Sequence, residues 1–345
     1  MQHRIIRTSF ALAGIGALAL AGCASTSPSS DGSSDGDHTV SIALDWSANT
    51  NHTGIYVAQE LGYFDEAGID VEILPYASTP VAQLVSAGEA DFGIVGQSDV
   101  QTSRAAGLDV VSVYSIVQSD TGRLVYLADN KDISSPADLD GTVFGGFGVP
   151  LYSAFMASTI QGAGGKGEFD EVMLDTGAYE ALKNGSIDFT SSVMTWEDIE
   201  AEIEGHPYAA FRYQDYGVPE QQAIGIASSD AYLESNHDDA DAFVKAVQKG
   251  FQYAIDNPDE AADLLIEANP DVLGTASELV HKSAELMATD GYYYADGVTV
   301  GAAVPEYWNE LGDYIVKTGY LVDANGDKIA ESPDWSEYYT NELVE

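Results

Sequence analysis

Residues 84–92 read LVSAGEADF, and residues 181–189 read ALKNGSIDF. Each stretch is a helix end, a glycine, two further residues, and an Asp-Phe pair that opens a strand. Glycine suits the left-handed backbone position that stops a helix. The short apolar run after Phe92 has the length and composition of a buried strand. One small unit therefore occurs twice, about 97 residues apart. That repetition fits two similar α/β lobes better than one continuous sheet.

Outward from the first copy, 39–44 (TVSIAL) alternates as a strand does, 54–61 is a short helix stopped at Gly62, and 71–74 is a second strand. The helix 81–87 and the strand 92–95 follow, then a strand over 110–117. Around the second copy, 142–144 is a strand leading into Gly145-Gly146-Phe147-Gly148, 152–161 is helical, and 172–174 is a strand. The chain returns through 223–227. Beyond it the pattern is helical almost to the end, over 239–256, 258–268, 275–287 and 304–318. These alternations predict an α/β protein.

The 345 residues suffice for two lobes with sizeable cores. With 56 acidic and 13 basic side chains the formal net charge is −43. A nucleic-acid binder needs clustered Lys and Arg to displace counterions, so that class is excluded, as is an electrostatic grip on anionic lipids. The acidity fits a solvated surface in a salty or exposed habitat, or the attraction of a cationic ligand. The single cysteine excludes an intramolecular disulfide. It lies in Leu20-Ala21-Gly22-Cys23, after Arg4, Arg7 and an apolar run over 10–20. A basic start, a short apolar stretch and small residues before a cut point mark an export signal. The Leu-Ala-Gly-Cys ending resembles the lipobox of bacterial lipoproteins. That resemblance implies a signal peptide over 1–22, acylation of Cys23 and a protein held on the outer face of the cell membrane; the stretch 23–38, rich in Ser, Gly and Asp without a periodic apolar pattern, reads as a flexible tether. No later stretch is long and apolar enough to span a bilayer.

The densest polar cluster is 45–56, DWSANTNHTGIY, between a strand and a helix. Ligands of open α/β sheets bind at such strand ends. Trp46 offers a flat face, Asn49 and Asn51 offer donors and acceptors, and His52 can do either. The set suits a flat heterocycle with polar edges. It equally suits a helix start, with Trp46 in the core and the asparagines as caps. Gln97, at the end of the third strand, is a further candidate. Trp196-Glu197 occupies the matching place after the second copy. Glu197 could accept from the exocyclic amine of an aminopyrimidine and from a protonated ring nitrogen, and Trp196 could stack on the ring; the same pair also reads as a surface helix start. The Gly145–Gly148 run could wrap an anion with backbone amides or simply form a tight turn. Tyr292-Tyr293-Tyr294 reads as packing at a lobe edge. The six histidines lack metal-ligand spacing, and no catalytic constellation stands out.

Leu44-Asp45-Trp46, Asn49, Asn51-His52-Thr53-Gly54 and Tyr56-Val57-Ala58-Gln59, with 62–71 (GYFDEAGIDV), resemble the opening of the NMT1/THI5-like proteins. That family spans substrate-binding proteins of ABC importers and fungal pyrimidine synthases of thiamin biosynthesis. The resemblance covers most of 39–270. It implies a type II periplasmic-binding-protein fold, two α/β lobes joined by a hinge around a ligand cleft, with a first lobe over 39–127, a second lobe over 128–227, and a helical return to the first lobe over 228–345. It also implies capture of a thiamin pyrimidine precursor, of formylaminopyrimidine or hydroxymethylpyrimidine type, for an ABC permease and its ATPase. A riboflavin-like or other aromatic heterocycle is the alternative ligand. The resemblance adds Tyr56 to the candidate contacts and places others in the second lobe at Gly146, with Phe147 or Tyr152 as a stacking face. The synthases use a lysine-bound pyridoxal phosphate, a histidine and a cysteine-rich iron-binding motif. Here no lysine precedes Lys131 and no cysteine follows Cys23, leaving His52 as the one match. The expectation is a monomeric, non-enzymatic binding protein without a cofactor or metal; an adhesion or scaffold role without a small ligand is the remaining rival.

Overall fold

In the computed structural model, which describes residues 38–344, the two copies of the repeat fall at equivalent places in two separate five-stranded sheets. The chain begins with β1 (Thr39–Ala43), α1 (Thr53–Glu60), α2 (Tyr63–Ala67), β2 (Asp70–Leu74), α3 (Val81–Ala87), β3 (Phe92–Val95), α4 (Gln97–Ala105) and β4 (Val111–Ser115). It crosses over to β5 (Gly122–Leu127), β6 (Val143–Gly146), α5 (Pro150–Gly162), β7 (Asp170–Met173), α6 (Gly177–Lys183), β8 (Phe189–Val193), α7 (Glu197–Ile203) and β9 (Tyr208–Arg212). It returns as β10 (Gly225–Ser228) and continues through α8 (Asp230–Ser235), α9 (His237–Asp256), α10 (Pro258–Ala268), α11 (Pro270–Leu273), α12 (Ser277–Thr289) and α13 (Pro305–Thr318).

The sheet orders are β2-β1-β3-β10-β4 and β7-β6-β8-β5-β9. In each, the first three strands are parallel, and the fourth runs antiparallel to both its neighbours. That fourth strand is the one arriving from the other lobe. The segment 122–127, expected in the first lobe, is therefore β5 of the second sheet, and β10 rejoins the first sheet from Gly225. A strand entering after a crossover is inserted beside the central strand, so the linear order of the chain misplaces it by one element.

The repeat has a physical cause. Gly88 and Gly185, at φ of 69° and 74°, terminate α3 and α6 in the left-handed region. Asp91 accepts the Ser41 amide of β1 at 2.8 Å, and Asp188 accepts the Val143 amide of β6 at 2.8 Å. Phe92 and Phe189 are fully buried in the respective cores. Each Asp-Phe pair thus fastens the start of one parallel strand to the next and seeds the core behind it.

In the first lobe, Phe92 stacks on Phe243 of α9 at 4.2 Å between centroids, and Phe64 of α2 also stacks on that ring at 5.6 Å. Helix α1 crosses α9 where Gly54 meets Gly250. In the second, Phe144, Phe169 and Phe189 form a mutual cluster. Regular helix ends at Thr318, and the tail beyond it buries Trp335 and Tyr338. It lies along the edge of β4, where the Thr340 amide donates to the Ser112 carbonyl at 2.8 Å. Helix α4 (QSDVQTSRA) escapes a pattern reading because it is almost wholly polar, and its position is set by the strand before it. Residues 1–37, with the lipobox and Cys23, lie outside the described residues.

Candidate functional site

The loop between β1 and α1 contains one turn of 3₁₀ helix, Thr50–His52. Asn49 caps it: its side-chain oxygen accepts the Asn51 amide at 2.8 Å, and its nitrogen donates to the Ser47 carbonyl at 3.0 Å. His52 is completely buried. Its Nδ1 accepts the Asn49 amide at 3.3 Å, so the hydrogen-bond network assigns the proton to Nε2, which donates to Asp45 Oδ1 at 2.9 Å. Both ring nitrogens are engaged within the loop. His52 is thus a support that orients Asp45, not a free contact, and the capping reading holds for Asn49. Trp46, by contrast, stands 44 % exposed with its ring 4.9 Å from that of Tyr76. Asn51 is half-buried.

Three other expected contacts point elsewhere. Tyr56 is buried in the first-lobe core, with its hydroxyl beside Asn269, because it lies on the face of α1 that packs on α10. Gln97 is buried: its nitrogen donates to the Tyr307 carbonyl at 2.9 Å, and its oxygen accepts the Gln222 amide at 2.9 Å. Gly146 belongs to β6 rather than to an anion-wrapping loop, and a Cβ there would stand 2.3 Å from a Glu171 carboxylate oxygen. A neighbouring carboxylate opposes anion binding, so close packing accounts for this glycine.

Asp45, Asp99, Asp120 and Tyr152 come together from both lobes. Asp99, in the first turn of α4, is solvent-accessible, yet surrounding protein and then the charge of Asp45 push its carboxyl up to about 6. Tyr152, in the first turn of α5, lies near the same carboxyls. The surrounding protein raises its hydroxyl most, and the charges of Asp99, Asp120 and Asp45 raise it further. Asp120 is buried between the lobes and accepts Gly122, Gln214 and Gln221 donors.

On the second-lobe side, Glu197 opens α7 and accepts the Val193 amide at 3.0 Å. Burial pushes its carboxyl up to about 7; the Val193 and Glu197 amides pull it down, and Asp198 and Glu200 add to the rise. Tyr179 of α6 lies near enough for the charge of Glu197 to raise its hydroxyl, after the larger effect of burial, and its ring lies 5.8 Å from that of half-buried Phe147. Trp196 is half-buried and packs against the first-lobe core, so it sits on the lobe boundary. Among the described residues, no Lys or Arg forms an ion pair with Asp45, Asp99 or Glu197. A concavity of about 430 Å³ is lined by Gly148, Pro150, Ser153, Glu171 and Met173 of the second lobe and by Tyr320 of the C-terminal segment, and contains none of these acids.

The structure therefore gathers Asp45, Asp99, Tyr152 and Asp120 in one group and Phe147, Tyr179 and Glu197 in another. Tyr213 links them, since its hydroxyl feels both Asp120 and Tyr152 and raises that of Tyr179. Asp45, Asp99, Asp120 and Tyr179 are not among the contacts expected from the sequence. Asp45 is legible in principle, as an acid at the end of a parallel strand. Asp99 and Tyr179 depend on which helix face turns inward, which packing determines. The raised carboxyls of Asp99 and Glu197, each beside a tyrosine, mark a candidate small-molecule site.

Comparison with known proteins agrees with this architecture. Over 256 residues the chain is 36 % identical to the formylaminopyrimidine-binding protein of Halalkalibacterium halodurans, covering 72 % of this chain and 75 % of that one. A 4-amino-5-hydroxymethyl-2-methylpyrimidine phosphate synthase of Legionella pneumophila is 25 % identical over 248 residues, covering 67 % and 74 %. Among solved structures, the periplasmic aliphatic sulphonate binding protein SsuA of Escherichia coli superposes with a TM-score of 0.65 at 14 % identity, over 87 % of this chain and 97 % of that one. The periplasmic-binding-protein fold expected from the opening motif is thus the fold observed. The family model of the NMT1/THI5-like proteins matches residues 49–261, most of the described chain, and this chain belongs to the NMT1/THI5-like family.

Proposed function

We propose that this chain is an extracytoplasmic substrate-binding protein that captures a thiamin pyrimidine precursor between its lobes and delivers it to an ABC permease. The carrying observation is the set of carboxyls with no Lys or Arg partner, Asp45, Asp99 and Glu197, with Tyr152 near the first two and Tyr179 near the third. The name of the H. halodurans relative supports the same ligand class. The lobes run from residue 39 to the first crossing near 116–121, from there to the second crossing near 213–224, and from β10 to the end of the chain. Closure about the two crossings would bury the ring. Cys23 would carry the lipid anchor, and the protein would act as a monomer on the outer face of the membrane.

In this reading Glu197 pairs with the aminopyrimidine edge. Its carboxyl group and the ring nitrogen share one proton, while the second oxygen accepts from the exocyclic amine. Asp45 and Asp99 face the substituent and favour a neutral or cationic group over a phosphate. The synthase alternative lacks its parts, since the sequence holds no lysine before Lys131 and no cysteine after Cys23.

Calorimetry against formylaminopyrimidine, hydroxymethylpyrimidine, its phosphate ester and riboflavin tests the proposal. The unphosphorylated pyrimidines should bind, and the phosphate ester should bind roughly 100-fold more weakly or worse, because a dianion would approach like charges. At 100 times its dissociation constant, a true ligand should also stabilise the fold by about 2.7 kcal/mol. Tighter binding of riboflavin, or no stabilisation by any pyrimidine, refutes the assignment.

A further inference from the structure

Ser283 of α12 lies between the two loops that carry the candidate site. Its Oγ is 2.6 Å from Thr50 Oγ1, in the loop after β1, and it donates to the Thr195 carbonyl, in the loop after β8, at 2.5 Å. All three residues are at most 1 % exposed. A carbonyl oxygen only accepts, so the Ser283 proton points to Thr195, and Thr50 must donate to Ser283. The relay therefore has one direction: Thr50 hydroxyl to Ser283 hydroxyl to Thr195 carbonyl. It joins the Asp45–His52 loop of the first lobe to the residue that precedes Trp196 and Glu197 in the second.

The same stretch braces both loops a second time. The Tyr293 hydroxyl donates to the Thr50 carbonyl at 2.5 Å, and the Tyr292 hydroxyl lies 2.8 Å from the Met194 sulfur. The tyrosine run read as packing at a lobe edge is thus a pair of braces, one for each loop. None of these atoms belongs to the acidic or aromatic groups proposed to meet the ligand.

We propose that Ser283 is a positioning residue that sets the Trp196–Glu197 edge against the Asp45–His52 edge across the lobe boundary. This rests on the reading of those two edges as the ligand site. A single buried hydroxyl satisfies one group from each lobe, so a change in either loop's placement must break a hydrogen bond that water cannot replace. In the observed arrangement the contact sets the spacing between the two edges.

Two measurements test this, one of them without ligand. The protein is labelled with 5-fluorotryptophan, and its four tryptophans are read by fluorine NMR. Ser283→Ala should shift or broaden the Trp196 resonance while leaving the buried Trp308 and Trp335 in place; global unfolding would move all of them. Affinity for formylaminopyrimidine should fall roughly 10- to 100-fold, the range expected for one buried hydrogen bond left unmade. Thr50→Val, which removes only the outer hydroxyl, should give a smaller change of the same kind, and remains informative if Ser283→Ala fails to fold. Ser283→Thr, which retains the hydroxyl, should restore the Trp196 signal. An unmoved Trp196 resonance in both Ser283→Ala and Thr50→Val overturns the positioning role. If the wild-type protein binds no pyrimidine, the ligand assignment falls, and the relay is judged on the fluorine spectrum alone.

Discussion

Glu197→Ala should weaken pyrimidine binding by about two orders of magnitude, and Glu197→Gln should abolish its pH dependence. The alanine removes two hydrogen bonds, at least one of them charge-assisted and of about 1.5–3 kcal/mol, which is a loss of roughly 10- to 150-fold. The pH behaviour follows from the proton count. The complex holds one proton between Glu197 and the ring nitrogen. The carboxyl is raised to about 7, so below that pH the free protein already carries the proton. Above it, binding must take a proton up, and affinity should fall by up to about tenfold per pH unit. The glutamine of the variant presents a fixed donor and acceptor to the same edge, so its affinity should be level from about pH 6 to 9. An unaltered slope in that variant, measured by calorimetry, would falsify the shared proton.

The same group predicts a stability effect in the free protein. A carboxyl whose folded pKa is raised holds its proton between the unfolded value of 4.5 and about 7. Its favourable contribution is therefore complete at low pH and is lost as pH rises through that window. At about pH 8 burial of the charged form opposes folding. Glu197→Gln removes that opposition and should stabilise the unliganded protein there by roughly 2 kcal/mol, with little change at about pH 4.5. Equal denaturation midpoints of variant and wild type in the alkaline buffer would mean that the carboxyl is not desolvated.

Gly250→Ala should be among the most destabilising single changes in the chain. A Cβ on Gly250 would lie 2.0 Å from the Gly54 carbonyl oxygen and 2.9 Å from its carbon. Both obstacles are backbone, so no side chain can rotate away, and α1 must lift from α9. Overpacking of this kind costs about 1–3 kcal/mol, and more where the backbone has to move. A loss of about 3 kcal/mol corresponds to a fall in Tm of several degrees. Because α1 starts directly after the loop that holds Asp45 and Trp46, pyrimidine affinity should fall as well. A melting temperature within one or two degrees of wild type would show that the helices can separate without cost.

Much of the fold is legible in the residues alone. The repeated helix–Gly–Asp–Phe unit recurs because both sheets need the same three local things: a left-handed stop, a carboxylate to fasten the neighbouring strand, and a buried ring. All three are properties of residues close in sequence. The strand β5 is misplaced by a linear reading for the opposite reason. Its partners β8 and β9 lie more than 60 residues away, and nothing in GRLVYL states which sheet it joins.

The candidate site divides along the same line. Residue types and their spacing were enough to establish two α/β lobes, a charge far too acidic for a polyanionic partner, and a crowd of polar and aromatic residues at the end of the first strand. Which of those residues are free was settled by packing in three dimensions. His52, Asn49 and Gln97 have the donors and acceptors that a ligand would need, but loop, cap and hinge take them first. Asp99 and Tyr179 gain their place because a helix face turns inward, and Ser283 gains its place because α12 packs beside α7. Residue type sets what a side chain can bond; the groups packed around it set whether any of that capacity remains.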